Sequence, residues 1–278
     1  MDYHDRFRVK PGATVDLRRF DAAQTAGRSE REARDEIAAN ADKLRKLQDT
    51  LYAENRRSLL IVLQAMDAGG KDGTVRHVFA SINPQGVSVH AFKQPTPQEA
   101  AHDFLWRVHA VTPARGRIAI FNRSHYEDVL VVRVHGLVPE KVWSLRYDRI
   151  NEFEKTLAQN DTHILKFFLH ITPEEQLERF KARLDDPRKQ WKISEDDYVE
   201  RTSWDAYTAA YEDVFRRCST DDAPWFVIPA NHKWFRNLAV SSIVVETLEA
   251  LKLRYPPPTV DLAEIGRRYH AAAETPIA

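Results

Sequence analysis

The chain has a single cysteine, Cys218, in 278 residues. That excludes an internal disulfide framework and a cysteine-based zinc site, and it makes the thiol a helix packing residue rather than a nucleophile. There is no surplus of either charge: Lys plus Arg and Asp plus Glu stand at 41 each, so no global field draws nucleic acid or an anionic membrane. Any polyanion site has to be a local cluster. No apolar run approaches the roughly 18 residues of a membrane span, and the start, MDYHDRFRVKPG, is charged and lacks the apolar core of a leader. A cytoplasmic protein, with neither membrane nor nucleic acid as partner, is the expectation. No repeat or low-complexity stretch is visible. What is abundant is hydrophobic side chains, 43% of the total, ample for the core of one large α/β domain.

Five short apolar runs read as strands: 59–63, 87–92, 117–122, 163–171 and 225–230. Helical patterns lie between them. Residues 21–56 carry a charged helix with Ile37, Leu44, Leu47 and Leu51 as its stripe, a face that suits either the chain's own sheet or an interface. Pro97 opens another helix through PTPQEAAHDFLWRVHAV. Further helical patterns cover 140–160, 173–184, 195–218 and 234–253. The segment 128–138 favours a strand by its β-branched residues, but a crossover must intervene before another parallel strand can pair, so a helix is expected there. The fold class that follows is three-layer α/β/α with a mostly parallel central sheet. The expected organisation is an irregular arm over 1–20, one domain over 21–255 and an extended tail over 256–278.

The densest chemistry starts in LLIVLQAMDAGGKDGT (59–74), where a buried strand breaks into a glycine turn ending on Lys71. Free N–H groups at the following helix start point at an anion there, and the lysine adds a full charge. The pattern departs from a Walker A loop: Ala65 stands at the first glycine position and Asp72 at the metal-binding Ser or Thr. Either the motif is false or the loop is specialised. A second acidic group at a neighbouring strand end is then needed for magnesium. IAIFNRSHYEDV (118–129) supplies it in a polar run through Asn122, Arg123, Glu127 and Asp128, for which a solvated turn is the plainer alternative. Asp67 beside phosphate is costly without an intervening cation. Asp67 and Asp128 are therefore the expected metal pair, unless Asp67 only caps the next helix. Finally, RFKARLDDPRKQWKIS crowds Arg179, Arg183, Arg188, Lys189 and Lys192 around a break at Pro187, which suits a basic flap over a polyanion.

Taken in order, MDAGGKDGT, DFLWRVH, FNRSHYEDVLVVRV and RKQWKIS resemble the polyphosphate kinase 2 family over nearly the whole chain. The resemblance implies a P-loop kinase fold similar to thymidylate kinase with a helical lid over about 183–200. It also implies phosphate transfer between inorganic polyphosphate and nucleoside mono- and diphosphates with magnesium, manganese being the alternative ion, in a homodimer or homotetramer. Catalysis then falls to Asp67, Lys71, Arg123, Glu127, Asp128 and Arg133. Polyphosphate is expected on Ala68, Gly69, Gly70, Lys71, Asp72, Gly73, Thr74, Asn122 and Arg123, together with the lid residues Arg183, Arg188, Lys189 and Lys192. The nucleotide is expected on Phe92, Pro95, Thr96, Arg107 and Glu127, although an aromatic near a strand end is as often core. Glu127, where diphosphate-specific members tend to carry Asn, resembles the subgroup that accepts both monophosphates and diphosphates. The rivals are an ATP-dependent nucleoside monophosphate kinase, against which Asp67 and Asp72 argue, and a nonenzymatic phosphate-binding module.

Overall fold

In the computed structural model, which describes residues 2–274, the five apolar runs form one parallel sheet. β1 (Ser58–Gln64), β2 (Val87–Ala91), β3 (Ile118–Asn122), β4 (Thr162–His170) and β5 (Trp225–Pro229) pair in the order β2-β3-β1-β4-β5. Successive side chains of a strand point to opposite faces, and here both faces are buried. Leu59, Ile61 and Leu63 enter one core with Phe167 and Leu169, while Leu60 and Val62 enter the other with Ile164 and Phe168. The first core is closed by α1 (Tyr3–Phe7), α2 (Glu30–Glu54), α3 (Lys71–Val78) and α11 (Lys233–Ala250). The second is closed chiefly by α7 (Glu140–Ala158) and α10 (Trp204–Cys218). The expected three-layer α/β/α sandwich is what forms.

The remaining helices are α4 (Pro97–Ala100), α5 (Trp106–His109), α6 (Val131–Val134), α8 (Pro173–Leu184), α9 (Glu195–Thr202) and α12 (Leu262–Glu274). Several differ from what the sequence suggested. The arm is not irregular throughout. Asp2 caps α1, which buries Tyr3 and Phe7 edge-on against Phe235 of α11, and Arg8 bridges β5 at Phe226. The long first helix starts later, at a reciprocal cap between Ser29 and Glu32, and lays Leu44 and Leu51 on α11 of the same chain. The helix expected from Pro97 is two single turns, α4 and α5, because the Asp103 carboxylate accepts from Leu105 N and turns the chain between them. The 195–218 helix breaks at Ser203. Residues 128–138 are helical, as expected, but for one turn only, α6, ended by Gly136 at φ +60°. The tail is not wholly extended: 262–274 is the exposed helix α12. Residues 275–278 lie outside the described range. Cys218 closes α10 inside the second core, and burial pushes its thiol up to about 12.

Candidate functional site

The winding of the chain reverses beside β1, and the loops after β1 and β3 therefore meet at the carboxyl edge of the sheet, where open α/β sheets hold ligands. After β1 the backbone turns sharply through Ala68 (φ +58°) and Gly70 (φ +105°), and α3 starts at Lys71 with no side-chain cap on its N–H groups. Those donors face the open groove. Lys71 Nζ folds back on the Ala65 carbonyl at 2.9 Å, and burial, reinforced by Arg123, lowers its pKa to about 8 despite Asp67 and Glu127. Thr74 is turned inward, its hydroxyl donating to the Gly70 carbonyl at 3.1 Å.

At the end of β3, Asn122 pairs in register with Leu63 and its amide donates to Asp72 at 2.7 Å, which ties the two loops together. Arg123 adopts φ +62°, a left-handed conformation that costs an arginine roughly 1–2 kcal/mol. Its N–H donates to the Leu63 carbonyl, and the bend delivers the guanidinium between Asp67 (2.9 Å) and Glu127 (3.5 Å). Gln64 holds the other side of Glu127 at 3.0 Å. Asp128 looks elsewhere. Arg146 binds it at 2.9 Å and Arg107 stands at 3.9 Å, while burial raises its pKa to about 6 against those two cations. Of the two acidic residues after β3, Glu127 and not Asp128 shares Arg123 with Asp67.

The turn that carries Glu127 and Asp128 is fastened from below. Lys166 of β4, fully buried, donates to Glu154 (2.5 Å), to the Tyr126 hydroxyl (2.8 Å) and to the Cys218 carbonyl (2.6 Å), and His125 reaches the same Glu154 at 3.1 Å. This network escaped the sequence reading. A lysine inside an apolar strand was its one available signal.

Above the loop runs a groove of about 1090 Å³ that gathers all of Asp67–Gly73 with Phe92, Asn122, Arg123 and the lid residues Arg183, Arg188, Lys189 and Lys192. Its wall carries eleven lysines and arginines against four aspartates, although the whole chain is neutral. The lid reaches the loop through Lys192, 3.5 Å from Asp72, while Arg183 pairs with Asp197 and Trp191 is 77% exposed. Arg133 is not brought to this groove: it pairs with Asp213 at 2.7 Å and lies over the Trp143 ring. The expected nucleotide set also scatters. Pro95 is exposed, Thr96 caps α4, and Arg107 is occupied by the Lys93 carbonyl, Glu99 and Asp128. Arg179, expected in the basic cluster, lines the groove, as do Lys233, Arg236 and Asn237, which were not expected there. The polar start of the helix after β5 was the signal for Lys233, Arg236 and Asn237.

A second, smaller pocket of about 290 Å³ backs onto the first through Asp67, Arg123 and Asp197. Its far wall is Leu130, Val131, Trp204, Tyr207 and Tyr211, rimmed by Asp196 and Glu200, with Glu127 inside it beside Arg123. The Tyr207 hydroxyl donates to Glu200 at 2.7 Å. Among the described residues, no group of three or more His, Cys, Asp or Glu side chains could by itself hold a metal ion.

A parallel sheet in this order, with an anion-binding glycine turn after β1, an acidic turn after β3 and a basic lid between β4 and β5, defines a P-loop kinase-type phosphotransferase. Residues 27–256 match the Polyphosphate kinase 2 (PPK2) family profile, and the chain belongs to that family. It is 53% identical over 255 residues to the AMP/ADP-polyphosphate phosphotransferase of Meiothermus ruber, covering 91% of this chain and 96% of that one. It is 44% identical over 267 residues to the ADP-polyphosphate phosphotransferase of Rhodopseudomonas palustris, covering 91% and 92%. The crystal structure of Polyphosphate Kinase 2 from Arthrobacter aurescens TC1 superposes with a TM-score of 0.91 at 41% identity, covering 96% of this chain and 95% of that one.

Proposed function

We propose that the protein transfers the terminal phosphate of inorganic polyphosphate to nucleoside mono- and diphosphates, AMP and ADP among them. One observation carries this reading. A groove with eleven cations and four aspartates, in a neutral chain, opens onto a separate aromatic pocket through a shared wall of Asp67 and Arg123. A polyanionic donor fits the first compartment, and a nucleoside with its phosphate aimed at Arg123 fits the second. The activities named for the Meiothermus and Rhodopseudomonas relatives support a polyphosphate and a nucleotide as the two substrates.

Phosphoryl transfer asks the protein for alignment and for neutralisation of charge on the moving group. Lys71 and the first N–H groups of α3 hold donor phosphates at the loop. Arg123, fixed by its bent backbone and by two carboxylates, meets charge developing between donor and acceptor. The acceptor phosphate is ionised at neutral pH, so the chain need not supply a base. Asp67 and Glu127 would hold a magnesium ion, or manganese, because such ions commonly bind one or two carboxylates together with substrate phosphates. The bound ion would supply charge neutralisation between donor and acceptor phosphates. Asp128, held by Arg146, positions the turn rather than reaching into the groove.

The test supplies AMP or ADP with either long-chain polyphosphate or ATP as sole donor, in the presence of magnesium. Turnover with polyphosphate is the expected result. Comparable turnover with ATP and none with polyphosphate would overturn the assignment in favour of a nucleoside monophosphate kinase.

A further inference from the structure

Arg236, in the first turn of α11, is 2% exposed, and among the described residues no carboxylate stands within ion-pairing distance of it. Its guanidinium bonds only the side-chain oxygen of its neighbour Asn237, from Nη2 at 2.8 Å and Nε at 3.2 Å. Among the described residues Nη1 has no acceptor. Burial, together with the nearby Arg179, lowers the pKa to about 10. A largely buried cation with no carboxylate partner, open to solvent only through the groove, is unfavourable, and a counter-charge arriving with a ligand would relieve that cost.

The loop is shaped around this side chain. A Cβ at Gly70 would stand 2.0 Å from Arg236 Nη1, and one at Gly73 would stand 3.2 Å from Nη2. Both positions lack a side chain where the unpaired cation presses against the backbone that opens α3. Structural fastening of that backbone falls to a different residue. Arg179 spends its donors on Glu175, on the Ala68 carbonyl of the loop and on the Ala230 carbonyl after β5. Arg236 makes no bond to the loop at all. Lys233, one turn earlier on α11 and exposed, lines the same groove.

We infer that Arg236 and Lys233 form a subsite for a non-reacting phosphate of the donor polymer, gripping it from the α11 side of the loop while the lid grips it from the other. This rests on the reading that the groove takes polyphosphate. It assigns the enzyme a means of favouring long donors, because a phosphate beyond the reacting one contributes binding that a short donor lacks.

The experiment compares wild type with Arg236→Gln and Lys233→Gln, using tripolyphosphate and long-chain polyphosphate as donors. It also measures Tm with and without the polymer. Losing one charged hydrogen-bonding partner should raise donor KM for the long chain about tenfold in Arg236→Gln. The expected shift is far larger in KM than in kcat, with acceptor KM unmoved and a smaller change for tripolyphosphate. Lys233→Gln should move the same way to a lesser extent. Removing an unpaired buried charge should leave the ligand-free Tm equal or higher, while the rise in Tm on adding polymer shrinks. A lowered ligand-free Tm with unchanged donor KM in Arg236→Gln would show a structural residue and overturn the inference alone. Wild-type protein that neither binds nor uses polyphosphate would overturn the reading of the groove as well.

Discussion

The two compartments that share Asp67 and Arg123 are built on opposite plans. The groove is large, cationic and made mostly of loop, lid and helix ends, so its donors are backbone N–H groups and long flexible side chains. The pocket is a quarter of that size and sits on the flanks of α6, α9 and α10, with aromatic and aliphatic walls and a carboxylate rim. A polymer of identical charged units needs attraction without a fixed register, which distributed charge supplies. A nucleoside needs shape, which packed aromatics supply. Their common boundary is Asp67, Arg123 and Asp197, and on the proposed reading that is where a phosphate changes owners.

Substitutions that hit the boundary should damage both sides, and those that hit one plan should spare the other. Lys71→Ala removes the charge at the transfer point and is expected to lower kcat by on the order of a hundredfold or more with AMP and ADP alike, measured at saturating polyphosphate. An unaffected rate would mean that the loop does not hold the reacting group. Tyr207→Ala opens the aromatic wall and should raise the KM for AMP and ADP by about tenfold, the order expected when a buried aromatic contact worth ~1–2 kcal/mol is lost. Donor KM should stay put; a matching rise in donor KM would erase the division between compartments. Lys192→Gln, on the exposed lid, should raise donor KM about twofold to fivefold, with a weaker salt dependence than wild type shows. A pH series provides the finest discrimination. Lys71 in the empty groove is charged below a pKa of about 8 and neutral above it. The kcat/KM for polyphosphate should therefore be highest below pH 8 and fall as pH rises through that value, because the free enzyme's ionisation governs this ratio. A flat profile between pH 7 and 9 would place the lysine outside donor binding.

The sheet was legible because each strand is a short apolar run bounded by turns, and burial on both faces makes such runs continuous. The phosphate loop and the acidic turn were legible for a related reason, since each sits immediately after one of those runs. What sequence could not reveal is which way a side chain turns. Asp128 lies one residue from Glu127, yet a single 3-10 turn sends it to Arg146 while Glu127 goes to Arg123. Arg133 has the right composition for an anion site, but Asp213, 80 residues away in sequence, claims it. Arg236 went unremarked within the helical pattern over 234–253. Only the absence of side chains at Gly70 and Gly73, seen in three dimensions, explains where it points.

Cys218, deep in the second core with an unreactive thiol, leaves the protein with no native handle for sulfhydryl reagents. A cysteine engineered at the exposed Trp191 position would be labelled selectively by a maleimide dye, so movement of the flap during turnover becomes a fluorescence measurement on an otherwise silent background.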